Sequence, residues 1–185
     1  MGEGYKYVEQ LEQLGTGDAV KSVKDFVEKD SDIVLVISAD QPTVSSQTLE
    51  NIISKHTKKN PSITLGTVLV QDFNDWRGGM KNFGRIIRGS DGSVKKIVEF
   101  KDATEEEKEI KELNLALYAF DSKWLWENID KLKNENTQRE YYLTDLVKIA
   151  CDQNKNIEAV AVTNAIEGLH PNSKAELELL EKLSR

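Results

Sequence analysis

Cysteine and histidine are scarce in this sequence and basic residues are outnumbered by acidic ones, and each shortage excludes something. The single cysteine, Cys151, rules out an intrachain disulfide framework and fits a reducing compartment. Two histidines, His56 and His170, are too few for a histidine-rich metal centre, so any metal here would be a hard cation on oxygen ligands. No apolar run is long enough to cross a membrane, and the start shows no secretory pattern. Lys and Arg number 25 against 32 Asp and Glu, a net charge of -7, which argues against a nucleic-acid backbone as partner. The 185 residues suffice for one domain with a real core, expected to be a cytoplasmic α/β unit spanning 1–185.

Hydrophobic periodicity divides the chain. YKYVEQ (5–10) alternates and predicts a short strand. GDAVKSVKDFVEKD (17–30) puts Ala19, Val20, Val23, Phe26 and Val27 on one helical face. Ile33 to Ile37 has no polar face and reads as a strand buried on both sides, inside a parallel sheet. A helix over 45–59 turns Leu49, Ile52 and Ile53 inward, and SITLGTVLV (62–70) is another strand. This alternation predicts βαβ units and a parallel sheet. FGRIIRGSDGSVKKIVEF (83–100) predicts two strands joined at Asp91-Gly92. ATEEEKEIKE is a short charged helix with Thr104 and Glu107 at capping-box spacing. LNLALYAF is a strand, SKWLWENIDKL a helix with Trp124, Leu125 and Ile129 inward, and REYYLTDLVKIACDQN (139–154) a further helix. IEAVAVT is a strand and SKAELELLEKLSR the closing helix.

Asp40 falls just past the carboxyl end of the strand in DIVLVISADQP, where ligands bind in open α/β sheets. Position alone leaves it a metal ligand or a turn residue. Asn172, before the closing helix, is a ligand or simply its N-cap. Gly15 and Gly17 can set a loop or admit a ligand. Glu99 can be solvated or ligand-bound, and Tyr142 a packing aromatic or part of a sugar platform.

Five stretches carry a resemblance: EQLGTGDAV, ISADQPTVSSQTL, FGRIIRGSDGSVKKIVEFKDATEEEKEIKELN, NENTQREYYLTDLVKIA and EGLHPNSKAELELLEKL. In this order and spacing they resemble the uridylyltransferase domains of the sugar-nucleotide pyrophosphorylase family, nucleotidyltransferases that act on N-acetylglucosamine 1-phosphate. The likeness covers essentially the whole chain, and VEFKDATEEE…ELN with EYYLTD is its most specific part. It implies a three-layer Rossmann-like α/β nucleotidyltransferase fold with a mixed, mostly parallel sheet. It also implies the reaction of UTP with N-acetylglucosamine 1-phosphate to give UDP-N-acetylglucosamine, a peptidoglycan precursor, and pyrophosphate. In that family the residues matching Asp40 and Asn172 are the catalytic pair that holds Mg²⁺. Those matching Gln10, Gly15, Thr16 and Ala39 bind the nucleotide. Those matching Gly84, Glu99, Asn114, Tyr142 and Thr144 surround the sugar. The chemistry suits these roles. The attacking phosphate is already an anion, so catalysis is positioning plus charge neutralisation. Mg²⁺ takes one or two oxygens from protein and the rest from phosphate and water.

The likeness also has departures. The family opens with a strand and a Gly-rich L-x-A-G-x-G-T-R-M loop that cradles the triphosphate, whereas MGEGYKYVEQ joins the pattern after the second strand and helix. The expectations that follow are a fold truncated at its N-terminus and impaired transfer by this chain alone. A further one is an open edge on the 33–37 strand, inviting a second copy or a strand-complementing partner. Ala39 stands where Gly is usual, Asp18 where His is usual, and Leu115-Ala116 where Thr-Gly is frequent. EGLHPN carries two extra residues before Asn172, and no hexapeptide repeat of the family's acetyltransferase half is present. Two alternatives therefore stand beside the transferase. One is a non-catalytic nucleotide-sugar binding remnant. The other is a related nucleotidyltransferase with another sugar or acceptor, since ADQP also resembles the strand-end motif of molybdenum-cofactor cytidylyltransferases.

Overall fold

The computed structural model describes residues 4–27 and 31–184. In chain order its elements are α1 (Thr16–Ser22), α2 (Lys24–Val27), β1 (Ile33–Val36), α3 (Ser46–Lys59), β2 (Ile63–Leu69), β3 (Arg85–Arg88), β4 (Val94–Val98), α4 (Glu105–Lys108), β5 (Glu112–Asp121), α5 (Ser122–Asn128), α6 (Asp145–Asp152), β6 (Ile157–Ala161) and α7 (Lys174–Leu183). Short 3₁₀ turns lie at Asp75–Asn82, Ile129–Lys131 and Ala165–Gly168.

The alternation of ELNLALYAFD makes β5 the axis of three layers. Leu113, Leu115, Leu117 and Ala119 enter one core with Ile52 of α3. Tyr118 and Phe120 enter the other, with Trp124 and Leu125 of α5 and Leu146 and Val147 of α6. Burying such a side chain contributes about 1.5–3 kcal/mol, so β5 binds both helical layers to the sheet. β2 runs antiparallel along one edge of β5, from Ile63 opposite Phe120 to Leu69 opposite Glu112. Two strands share the other edge: β1 pairs with Tyr118–Asp121, and β3 reaches Leu113. β4 pairs with β3 through a turn in which Gly92 has φ 78°. At α4 the expected capping box is present: Glu107 N donates to Thr104 Oγ1 (3.2 Å) and Thr104 N to Glu107 Oε2 (2.9 Å).

The sheet is mixed, as the resemblance implies, but antiparallel pairing outweighs parallel. Among the described residues only β2–β6 is a parallel pair. The cause is insertion. β1, α3 and β2 do form a crossover with both strands running the same way, but the antiparallel β5 lies between them. For the same reason β1 is not buried on both sides. It pairs with β5 and with no other strand among the described residues, and Ile37 beyond it is 50% exposed.

Other expectations change locally. Residues 5–10 form no strand, and Tyr5 and Tyr7 are exposed. The helix expected over 17–30 breaks at Val23 into α1 and α2, Phe26 points outward, and 28–30 lie outside the described residues. On α3 it is His56, not Ile53, that is buried, with Nδ1 3.0 Å from Thr64 Oγ1. The helix expected from 139 starts at Asp145, because Arg139 has φ 56° and Tyr141 N donates instead to Leu14 O (2.7 Å).

One irregularity shapes everything near the cleft. Leu65 faces Tyr118, but Thr67 faces Asn114, so β5 carries two extra residues against β2. An even number preserves the alternation of faces. The bulge fits because Gly66 opposes it: a Cβ there would lie 3.2 Å from Leu117 Cβ. Ala116 adopts φ 54°, a left-handed conformation that costs a residue with a Cβ about 1–2 kcal/mol. Replacing Ala116 by Gly is expected to raise unfolding stability by about 1 kcal/mol, after allowance for the freer unfolded chain, as read by urea denaturation. A loss of stability would show that the methyl group outweighs the strain.

Candidate functional site

Where β1 and β3 separate along their shared edge of β5, a cavity of about 900 Å³ opens. Its wall includes Thr16, Asp40, Gly84, Glu99, Asn114, Thr144 and Asn172, together with Tyr118, Trp76 and His170. Gln10, Gly15, Ala39 and Tyr142 are not part of that wall.

One group of wall residues is buried or half-buried and hydrogen-bonded. Asn114 Nδ2 donates to the Tyr118 hydroxyl (2.7 Å), while Asn114 Oδ1 accepts from Ala116 N (3.2 Å) across the bulge. Glu99, just beyond β4, accepts from Thr144 Oγ1 (2.9 Å). Burial pushes the Glu99 carboxyl above its ordinary range, and the nearby charges of Asp145, Asp102 and Glu140 add to this against the Thr144 hydrogen bond. Burial, helped by Glu99, likewise raises the Tyr118 phenol. Gly84 is needed here because a Cβ would lie 2.9 Å from Ile97 Cγ2 and 3.4 Å from Glu99 Oε2. The turn before it is held by Arg85, fully buried between the rings of Phe73 and Phe100. Its guanidinium donates to the carbonyls of Lys81 (2.8 Å), Lys108 (3.2 Å) and Phe83.

A second group is more open. Asp40 is exposed past the end of β1, with Oδ1 3.1 Å from His170 Nδ1. Asn172 is exposed too, and its Nδ2 donates to His170 O (3.1 Å). It is not the N-cap of α7: Ser173 Oγ accepts from Glu176 N (3.2 Å) in that role. Asp40 and Asn172 thus present oxygen donors to one cavity, the donor type Mg²⁺ prefers. No cluster of three or more His, Cys, Asp or Glu suited to a metal occurs among the described residues. The wall carries Asp40, Asp75, Glu99 and Glu176 but no Lys or Arg among the described residues.

The remaining sequence candidates have other environments. Gln10 Nε2 donates to Asp18 Oδ2 (2.7 Å) and Gly15 O (3.3 Å). Gly15 has φ 107°, and a Cβ would lie 2.7 Å from Tyr141 O, so close packing on 141 alone demands glycine. Thr16 Oγ1 accepts from Leu143 N (3.1 Å). The Tyr142 hydroxyl accepts from Gln138 Nε2 (2.9 Å), and burial pushes the phenol up to about 12. Sequence reasoning missed Tyr118, whose inward strand position was a usable signal. It also missed Gln41 and His170, the latter within the EGLHPN stretch before Asn172.

The raised Glu99 carboxyl has a stability consequence. A carboxyl raised on folding contributes fully below its unfolded value, near 4.5, and that contribution is lost as pH rises through the folded value. Glu99→Gln is therefore expected to raise the melting temperature at pH above neutrality. The gain should shrink as pH falls towards 4.5. A gain independent of pH would contradict the burial of an ionised group.

Comparison with known proteins agrees with this architecture. The family model described as nucleotidyl transferase matches residues 3–165. The chain is 43% identical over 171 residues to the bifunctional protein GlmU of Clostridium acetobutylicum, covering 92% of this chain and 36% of that one. It is 37% identical over 190 residues to the bifunctional protein GlmU of Bacillus velezensis, covering 100% and 40%. Against the Bacillus subtilis protein of that name, the identity is 34% over 185 residues, covering 100% and 39%. The chain thus spans about two fifths of the length of these curated relatives. The chain belongs to the nucleotidyl transferase family.

Proposed function

We propose that the cleft binds a nucleoside triphosphate and a sugar 1-phosphate and transfers uridylyl from UTP to N-acetylglucosamine 1-phosphate, releasing pyrophosphate. The observation that carries this is the joining of two donor sets in one cavity: exposed Asp40 and Asn172, and half-buried Glu99 bonded to buried Thr144, with the buried pair Asn114–Tyr118. The second set suits a sugar. A carboxylate accepts from two hydroxyls, and a carboxamide donates and accepts. A phosphate-rich substrate entering a wall with four carboxylates and, among the described residues, no Lys or Arg would be favoured by a bound cation. Mg²⁺ held by Asp40 and Asn172 would supply that neutralisation and polarise the phosphates. The protein's own part is to orient: Gly84 and Glu99 fix the sugar so that its phosphate oxygen faces the α-phosphorus in line with the leaving pyrophosphate.

No helix among the described residues is long and apolar enough to cross a membrane. With the unpaired Cys151, this supports a cytoplasmic setting. The open edge of β1 suits pairing with a second copy of the chain. Light scattering at rising concentration is expected to show dimers; a monodisperse monomer at every concentration would contradict this.

The lack of Lys and Arg on the wall among the described residues favours a second reading, a nucleotide-sugar binding module that does not catalyse transfer. Pyrophosphate release from UTP, N-acetylglucosamine 1-phosphate and Mg²⁺ decides, alongside calorimetric titration of UDP-N-acetylglucosamine. The transferase reading expects release that falls at least about 10²-fold in Asp40→Asn. Saturable UDP-N-acetylglucosamine binding without release supports the binding module. Binding of a cytidine nucleotide instead would point to the other acceptor branch, and no binding of either kind would overturn both readings.

A further inference from the structure

The bulge in β5 connects to Asp40 through two side chains that the reaction itself does not call for. Leu115 O accepts from Gln41 Nε2 at 2.6 Å. The same Gln41 nitrogen lies 3.1 Å from His170 Nε2, and His170 Nδ1 lies 3.1 Å from Asp40 Oδ1. Phe83 meets the imidazole edge to face at 5.2 Å and 86°, fixing the plane of the ring. Gln41 is 7% exposed and the His170 side chain 19%. The contacts therefore form one continuous path from a buried backbone carbonyl, through Gln41 and His170, to the exposed Asp40 carboxylate.

Their directions follow from donor and acceptor capacity. A backbone carbonyl only accepts, so the Gln41 atom facing Leu115 O is the amide nitrogen. That NH₂ has a second hydrogen, and His170 Nε2 stands where it points. A ring nitrogen that accepts carries no proton, so the neutral imidazole holds its single N–H on Nδ1, directed at Asp40. Gln41 Oε1 has no protein donor among the described residues. Turning the amide over to relieve it would set that oxygen against the Leu115 carbonyl, so the orientation is fixed.

We propose that Gln41 and His170 are positioning residues for the cation site, a relay that locks His170 as the Nδ1–H tautomer and turns the Asp40 carboxylate so that its free oxygen faces the cavity. The proposal rests on Asp40 as a metal ligand. A protonated Nδ1 cannot ligate, so His170 supports the ligand rather than joining it. Hydrogen bonds of this kind to a ligating carboxylate typically hold 10–100-fold in metal affinity, as an order of magnitude about one to two decades.

Long-range ¹H–¹⁵N spectra of the chain at alkaline pH read the tautomer directly. With two histidines present, loss of one signal set in His170→Asn separates His170 from His56. The expected result is a protonated Nδ1 and a bare Nε2 at His170, shifting towards Nε2–H in Gln41→Leu. A wild-type ring protonated on Nε2 would overturn the relay. Mn²⁺ titration followed by electron paramagnetic resonance reads the consequence. His170→Phe is expected to weaken binding about tenfold or more, while His170→Asn, which keeps an N–H donor near the Nδ1 position, retains most of it. Equal affinity in wild type and His170→Phe would overturn the positioning role. Wild-type protein that binds no Mn²⁺ while keeping the Nδ1–H ring would instead overturn Asp40 as the ligand, and with it the purpose of the relay.

Discussion

Two extra residues in one strand lie where the cleft of this protein opens. On the edge of β5 that β1 and β3 share, the ladder is broken, and the cavity lies at the break. The bulge at Leu115–Ala116 ends that ladder at Tyr118 and sends the next pairing to Leu113. It turns the Leu115 carbonyl out of the ladder and towards Gln41. It is clamped from within by Asn114, whose amide bonds both the Ala116 N–H and the Tyr118 hydroxyl. The strain at Ala116 is thus held where the chain needs an opening, as is common for irregular backbone beside functional sites.

The electrostatics of the cleft work against the isolated fold. Glu99 sits half-buried among other acids, with one hydroxyl to bond it, and Asp145 is also raised by burial. Such groups destabilise a fold when ionised, and Glu99, unlike Asp145, lies on the cavity wall where a ligand could bond it. Sugar hydroxyls would satisfy Glu99, and a divalent cation would offset Asp40 and the phosphates. By contrast Arg85, fully buried, is served by three carbonyls and two rings. It fixes the turn carrying Gly84 and takes no part in the wall.

Local patterns in the sequence were legible where local physics decides. The alternation of β5, the Asp91-Gly92 hairpin and the Thr104/Glu107 capping box all appear where periodicity and capping spacing put them. Long-range pairing was not legible. The greasy β1 looks like an interior parallel strand, but its neighbour is a strand eighty residues later, and nothing in 33–37 encodes that. Among site residues, Asp40 and Asn172 reach the cavity from the places their flanking elements dictate. The capping alternative for Asn172 fell because Ser173, one residue on, does the capping. Tyr142 and Tyr118 exchange importance at the cavity: helix α6 starts after Tyr142, whose hydroxyl meets Gln138, whereas strand phase carries Tyr118 inward. Gln41 and His170 are legible only in retrospect, as a polar residue after a strand-end Asp and a histidine within the EGLHPN stretch that meet in space.

Whether a nucleotide sugar seats where β1 and β3 part is the question on which the account rests. Backbone amide shifts recorded while UDP-N-acetylglucosamine is added with Mg²⁺ answer it most directly. The account expects saturable changes gathered at Gly84, Glu99, Asn114 and Thr144, extending to Asp40 and Asn172. Changes confined to another face of the molecule, or none at saturating ligand, would contradict it.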